Sequence, residues 1–64
     1  MGDKLKLLRK EKGVSQRDVA KAIGVTTSAY SNYEQGTREP SVELIKSLCL
    51  YFRVSADYLI GLED

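Results

Sequence analysis

An all-α domain of five short helices follows from three features of this 64-residue sequence. Apolar residues recur at spacings of three and four along its longer segments. Glycines (Gly13, Gly24, Gly36, Gly61) stand where such segments stop, and Ser or Thr stands where most of them begin. The third feature is size. A chain this short buries only about 60% of the surface that its unfolded form exposes. With one Cys and no His, it has no internal disulfide or metal cluster, so stability must come from well-packed helices.

The first helix is expected from Asp3 to Lys12, with Leu5 and Leu8 facing the core. Asp3 suits its positive end and Lys10 and Lys12 its negative end, and Gly13 stops it. Ser15 caps a second helix, supported by Asp18 three residues on. Val19, Ala20 and Ile23 give that helix one apolar face, and Gly24 follows its end, where a left-handed backbone is cheap only for glycine. Val25 plugs the angle that follows, and Thr26 or Thr27 caps a third helix from Thr27 to about Gln35. The small Ala20 lets the third helix cross close above the second. Two helices at a steep angle, joined by about four residues including a Gly, form a helix-turn-helix.

The third helix shows what this unit is for. At about 100° per residue, Thr27, Ser28, Ser31 and Asn32 share one arc, with Ala29, Tyr30 and Tyr33 opposite. A solvated helix face usually carries Lys and Glu, which form helices better than Ser, Thr and Asn. Weak helix formers on an open face point to contact with something other than water. Asn reads adenine bidentately, and Ser and Thr reach base edges or thymine methyl groups. The loop QGTREP follows, with Gly36 taking positive φ and Thr37 and Arg38 projecting from an exposed turn. Thr37, Arg38 and the backbone N–H groups of that turn suit phosphates, which fix register without carrying sequence information. Gln16 is placed to do the same from the second helix, aided by its dipole, with Arg17 and Lys21 as electrostatic helpers.

Pro40 and Ser41 reset the chain into a fourth helix, in which Val42, Ile45, Leu48, Cys49 and Phe52 form the inner stripe. Leu44 and Tyr51 widen it beyond what one small core needs. Ser55 caps a final helix from Ala56 to Ile60, closed by Gly61, and Tyr58, Leu59 and Leu62 complete the core. The surplus apolar surface makes Tyr51, Tyr58 and Leu62 the candidates for a contact between two copies.

Several of these residues recur as a spaced series. The series runs Leu8-Arg9, Gly13-x-Ser15-Gln16, Ala20-x-x-x-Gly24-Val25-Thr26, then Ser31-x-x-Glu34-x-Gly36-x-Arg38-x-Pro40-Ser41. It closes with Val54-Ser55-x-Asp57-x-Leu59. It resembles the lambda-repressor/Cro-type (XRE-like) helix-turn-helix DNA-binding family over nearly the whole chain. The resemblance implies a compact five-helix lambda-repressor-like domain with its helix-turn-helix at helices 2 and 3. It also implies an ion pair between Arg9 and Glu34 and a role as a bacterial or phage-type transcriptional repressor. The partner it implies is double-stranded DNA with pseudo-palindromic operators, bound by a homodimer with half-sites about one helical turn apart. Tyr30 departs from the family, which places an aliphatic residue there, and its hydroxyl must find a partner or solvent.

Composition bounds the function. Residues 1–38 hold eight basic and four acidic side chains, and residues 39–64 two basic and five acidic. The net charge of +1 therefore conceals a basic half and an acidic half, and implies a shallow salt dependence. No nucleophile–base pair or metal-ligand set is available, so an enzyme is not expected, nor a cofactor or small-molecule ligand. No apolar stretch is long enough for a membrane span, and Cys49, within an apolar run, reads as a buried structural thiol fitting a reducing cytoplasm. Residues 1–64 read as one domain with no linker or repeat. The competing reading is a protein-interaction module of the same fold, an antitoxin or anti-repressor partner.

Overall fold

Five α-helices carry the chain in a computed structural model that describes residues 1–61 of the 64. They are α1 (Gly2–Lys12), α2 (Gln16–Ile23), α3 (Thr27–Gln35), α4 (Val42–Phe52) and α5 (Ala56–Ile60). Helix α1 begins one residue before the sequence-based start, with Met1 at the cap position and no side-chain cap. The next four each start on a hydroxyl. Ser15 Oγ accepts from the Asp18 N–H at 3.0 Å, and the Asp18 carboxylate accepts from the Ser15 N–H at 3.0 Å, a reciprocal box. Thr26, rather than Thr27, caps α3 through the Ala29 N–H at 3.1 Å. Ser41 and Ser55 cap α4 and α5 at 3.2 and 3.0 Å.

Every helix contributes to one core. Leu5 comes from α1, Val19, Ala20 and Ile23 from α2, Tyr30 from α3, Leu48 from α4 and Leu59 from α5. Helix α3 lies against α1 and α2, while α4 packs on α2, α1 and α5. The stripe on α4 differs from its sequence pattern at one end. Val42 is 68% exposed, whereas Pro40 just before the helix is buried and the residues of α4 that pack on the core begin at Leu44. Cys49 packs against the core but is half-buried rather than fully buried. Desolvation still pushes its thiol pKa up.

Helix α1 also holds α4 and α5 through two cations. Lys12 Nζ lies 4.9 Å from the centre of the Tyr51 ring, and Lys4 Nζ lies 4.8 Å from that of Tyr58. Lys4 Nζ also donates to the Tyr58 carbonyl at 2.7 Å. Tyr51 packs edge-on to Phe52, with ring centres 5.0 Å apart. Both tyrosines, assigned from sequence to a contact between copies, are thus half-buried and already engaged by α1. Leu62, the third such residue, lies outside the described residues. None of the described helices is long and apolar enough to cross a membrane.

One cap lacks the residue it calls for. Arg53 closes α4 at φ 57°, ψ 49°, a left-handed conformation that a Cβ penalises. Arg53→Gly should therefore raise stability by roughly 0.5–1 kcal/mol. A thermal melt should show this as a gain of a few degrees; an unchanged or lower Tm would mean that the Arg53 side chain compensates for its backbone.

Candidate nucleic-acid interface

The inner side of α3 is fixed at its C-terminal turn. Glu34, 9% exposed, receives Arg9 Nε on Oε2 at 2.7 Å and Arg9 Nη2 on Oε1 at 3.4 Å. Gln16 Nε2 donates to the same Oε1 at 3.1 Å, and Arg9 Nη1 donates to the Val14 carbonyl at 3.2 Å. One carboxylate therefore joins α3 to α1 and to the first residue of α2. Burial alone would raise the Glu34 pKa, but the groups facing it from Arg9, Tyr30 and Gln16 outweigh burial and hold it below the ordinary carboxylate range. The hydrogen bond to Glu34 in turn raises the Arg9 pKa.

Tyr30 sits beneath this cluster with no solvent exposure, edge-on to Tyr33 at 6.5 Å. Its hydroxyl reaches neither solvent nor a partner of full hydrogen-bond geometry, contrary to what its sequence position requires. It faces the Glu34 carboxylate instead. Burial, then that carboxylate, pushes the phenol pKa well above its usual value, so Tyr30 stays neutral.

The outer arc of α3 is graded. Thr27 and Ser28 are exposed, whereas Ser31 and Asn32 are half-buried. Gln35 Nε2 donates to Ser31 Oγ at 3.2 Å, a neighbour the arc reading did not include although Gln35 stands one turn from Ser31. Among the described residues no hydrogen bond uses the side chains of Thr27, Ser28 or Asn32. At the end of the helix the Asn32 carbonyl accepts from the Thr37 N–H at 3.1 Å, the Thr37 hydroxyl at 3.3 Å and the Arg38 N–H at 3.4 Å. Those N–H groups are therefore spent on closing the helix, which corrects their sequence-based assignment to phosphates. What the turn presents outward is the Arg38 side chain.

A similar correction applies at the start of α2. The Asp18 carboxylate occupies the capping box and is held below its usual pKa by its hydrogen bonds with Ser15. A negative charge at that helix end opposes the dipole assistance expected for an anion beside Gln16. The Gln16 amide already gives one N–H to Glu34 and keeps a second. Arg17 and Lys21, one turn apart on α2, are exposed, as is Arg38, and none forms an ion pair among the described residues.

Gly2 is a further position that the sequence reading passed over. A Cβ built there would overlap the Glu34 carbonyl oxygen and lie 2.9 Å from its carbon and 3.0 Å from the Tyr33 oxygen. The start of α1 thus rests on the C-terminal carbonyls of α3. Because the helix expected from sequence begins at Asp3, Gly2 stands just outside it and only the structure marks it.

Comparison with known proteins follows the same outline. A family model described as helix-turn-helix matches residues 5–59. The uncharacterised HTH-type transcriptional regulator YqaE of Bacillus subtilis is 38% identical over 58 residues, 91% of this chain and 50% of that protein. The HTH-type transcriptional regulator AnsR of the same organism is 39% identical over 61 residues, 95% of this chain and 53% of that one. The chain thus spans about half the length of these curated relatives. Among solved structures, the P22 c2 repressor in complex with a synthetic operator aligns with TM-score 0.87 and 31% identity, covering 91% of this chain and 88% of that one.

The Glu34 cluster makes stability depend on acid in a defined direction. Because folding lowers the Glu34 pKa from 4.5, its contribution is complete above that value and is lost as pH falls through the lower folded value. Glu34→Gln should cost about 1.5–3 kcal/mol at neutral pH, and its stability should then fall less steeply on acidification. Asp18, shifted the same way, leaves a residual slope. Melts across this range test it: parallel acid profiles for the two proteins would remove Glu34 from the linkage.

Proposed function

The chain belongs to the helix-turn-helix family that it matches over residues 5–59, and we propose that it is a sequence-specific double-stranded DNA-binding regulator of the repressor type. One observation carries this reading. Helix α3 is locked on its inner side by Glu34 and leaves Thr27, Ser28 and Asn32 unengaged on its outer side, while exposed cations of α2 and the turn after α3 form no ion pair among the described residues. A rigid rod with small hydrogen-bonding side chains suits the major groove, where base pairs present distinct donor and acceptor patterns. The mechanism divides the contacts. Thr27, Ser28, Ser31 and Asn32 meet base edges, while Arg38 and the Gln16 amide hold the sugar–phosphate backbone, which the Thr37 hydroxyl joins by leaving the Asn32 carbonyl. Arg17 and Lys21 add charge.

Ser31 Oγ accepts from Gln35 and keeps its O–H to donate, which suits the N7 and O6 acceptors of guanine, N7 of adenine or O4 of thymine. A single module buries too little DNA for the roughly 10⁻⁸ M affinities of specific regulators. Two copies on a pseudo-palindromic site supply the rest, meeting through α4 and α5 around Tyr51 and Tyr58. The likeness to the operator-bound P22 c2 repressor and to bacterial transcriptional regulators supports the reading.

Selection from a random duplex pool, followed by gel shifts at two salt concentrations, tests the proposal. Tight binding to a recovered consensus supports it, and absence of binding at low salt favours a protein-interaction module instead. On the recovered site, Asn32→Ala should cost roughly 1–3 kcal/mol and relax one base position. Arg38→Ala should weaken all sequences alike and lower the salt slope by up to about one unit. Equal loss on specific and random DNA for Asn32→Ala would remove it from base readout.

Assembly has its own test. Footprints of a Tyr51→Ser, Tyr58→Ser variant that still folds should lose cooperative filling of the two half-sites while binding to one half-site persists. Full cooperativity in that variant would place the contact elsewhere.

A further inference from the structure

Glu34 is approached from α1 at two places seven residues apart. Arg9 takes its carboxylate, with Nε 2.7 Å from Oε2. At the other end of the same residue the Gly2 backbone lies against its carbonyl, so close that a single Cβ would overlap that oxygen. Such overlap with backbone atoms is not relieved by rotating a side chain; one helix has to move. Gly2 lies within α1, where glycine is a poor helix former, so its presence there goes with the close approach.

We infer that Gly2 is a positioning residue for the reading helix. By letting α1 sit directly on the Glu34 carbonyl, it fixes the C-terminal turn of α3 and the base- and phosphate-contacting groups that hang from it. The inference rests on the DNA-binding reading above.

The path from Gly2 outward is short. The Tyr33 carbonyl, also overlooked by Gly2, accepts the Gly36 N–H at 3.3 Å. The neighbouring Asn32 carbonyl holds Thr37 and Arg38. A shift of this turn therefore carries with it the Asn32 side chain, which reads a base, and the Arg38 side chain, which holds phosphate. Arg9 alone leaves freedom, because a carboxylate on a two-carbon stem tolerates movement of its own backbone. Contact at both the backbone and the carboxylate removes it. Charge favours the arrangement as well, since the positive N-terminal end of α1 meets the negative C-terminal end of α3.

Gly2→Ala tests this with two readouts. The first is the ratio of affinities for the selected operator and for a random duplex, at fixed salt. We expect the operator affinity to fall about tenfold and the random-duplex affinity by less than twofold. Asp3→Ala, in the same turn but exposed, should leave the ratio intact. The second readout needs no DNA: the amide resonances of Gly36 and Thr37 and the Arg9 Nε–H should move in Gly2→Ala and stay in place in Asp3→Ala. If the alanine variant does not fold, the same comparison is made in an Arg53→Gly background, which strengthens the fold at a separate cap.

A wild-type chain that discriminates, beside a folded Gly2→Ala variant with the same ratio or unmoved resonances, overturns the positioning role alone. A wild-type chain that shows no discrimination overturns the DNA-binding reading and this role together. The moved resonances would then record a packing contact only.

Discussion

The structure turns on one buried carboxylate. Glu34 comes from the last turn of α3, yet its oxygens are held by Arg9 of α1 and Gln16 of α2. Removing a charge from water is costly unless hydrogen bonds replace its hydration. Here those bonds come from two other helices, so satisfying the carboxylate and setting the angle of α3 are the same event. A buried ion pair is weak evidence for stability as such. Its value lies in fixing one arrangement of the helix-turn-helix rather than several similar ones.

That constraint matters because α3 has little helical preference of its own. Its nine residues, TSAYSNYEQ, include six that are poorer helix formers than Ala or Glu, and a helix of that length is marginal alone in water. The Thr26 cap, Gly36 at φ 80°, the buried Tyr30 and the Glu34 cluster supply what the outer face cannot. Ser, Thr and Asn suit a surface that must hydrogen-bond to a partner and hold that surface helical poorly. The fold therefore concentrates its restraints on the opposite side and at both ends.

Much of this was legible in the sequence because it depends on local chemistry. Ser15 with Asp18, Gly24 and Ser41 act over three or four residues, and a one-dimensional string carries such signals intact. The two arcs of α3 also follow directly from helical geometry. What escaped the sequence depends on which atoms meet across helices. Val42 turns away from the core while Pro40 is buried, Lys4 and Lys12 lie over tyrosine rings of α5 and α4, and Gly2 meets a carbonyl more than thirty residues away. The fate of the N–H groups after Gly36 was hidden for a related reason. Both a phosphate and the end of a helix want them, and only the closed turn shows that the helix has them.

Those cross-helix contacts change the electrostatic account. Of the eight basic side chains in residues 1–38, Arg9 is committed to Glu34, while Lys4 and Lys12 are drawn over aromatic rings on α5 and α4. The basic half of the sequence therefore overstates the charge that α2, α3 and the following turn can offer a phosphate backbone. Arg17, Lys21 and Arg38 remain there, with the Asp18 carboxylate beside the first two opposing them. Non-specific affinity in DNA-binding proteins comes almost wholly from such cations. A chain that spends Arg9, Lys4 and Lys12 on internal contacts has correspondingly less of it. On the proposed DNA-binding reading, discrimination then falls to the shape and hydrogen bonding of α3, and the restraints on that helix from Arg9, Gln16 and the Thr26 cap fit such a role.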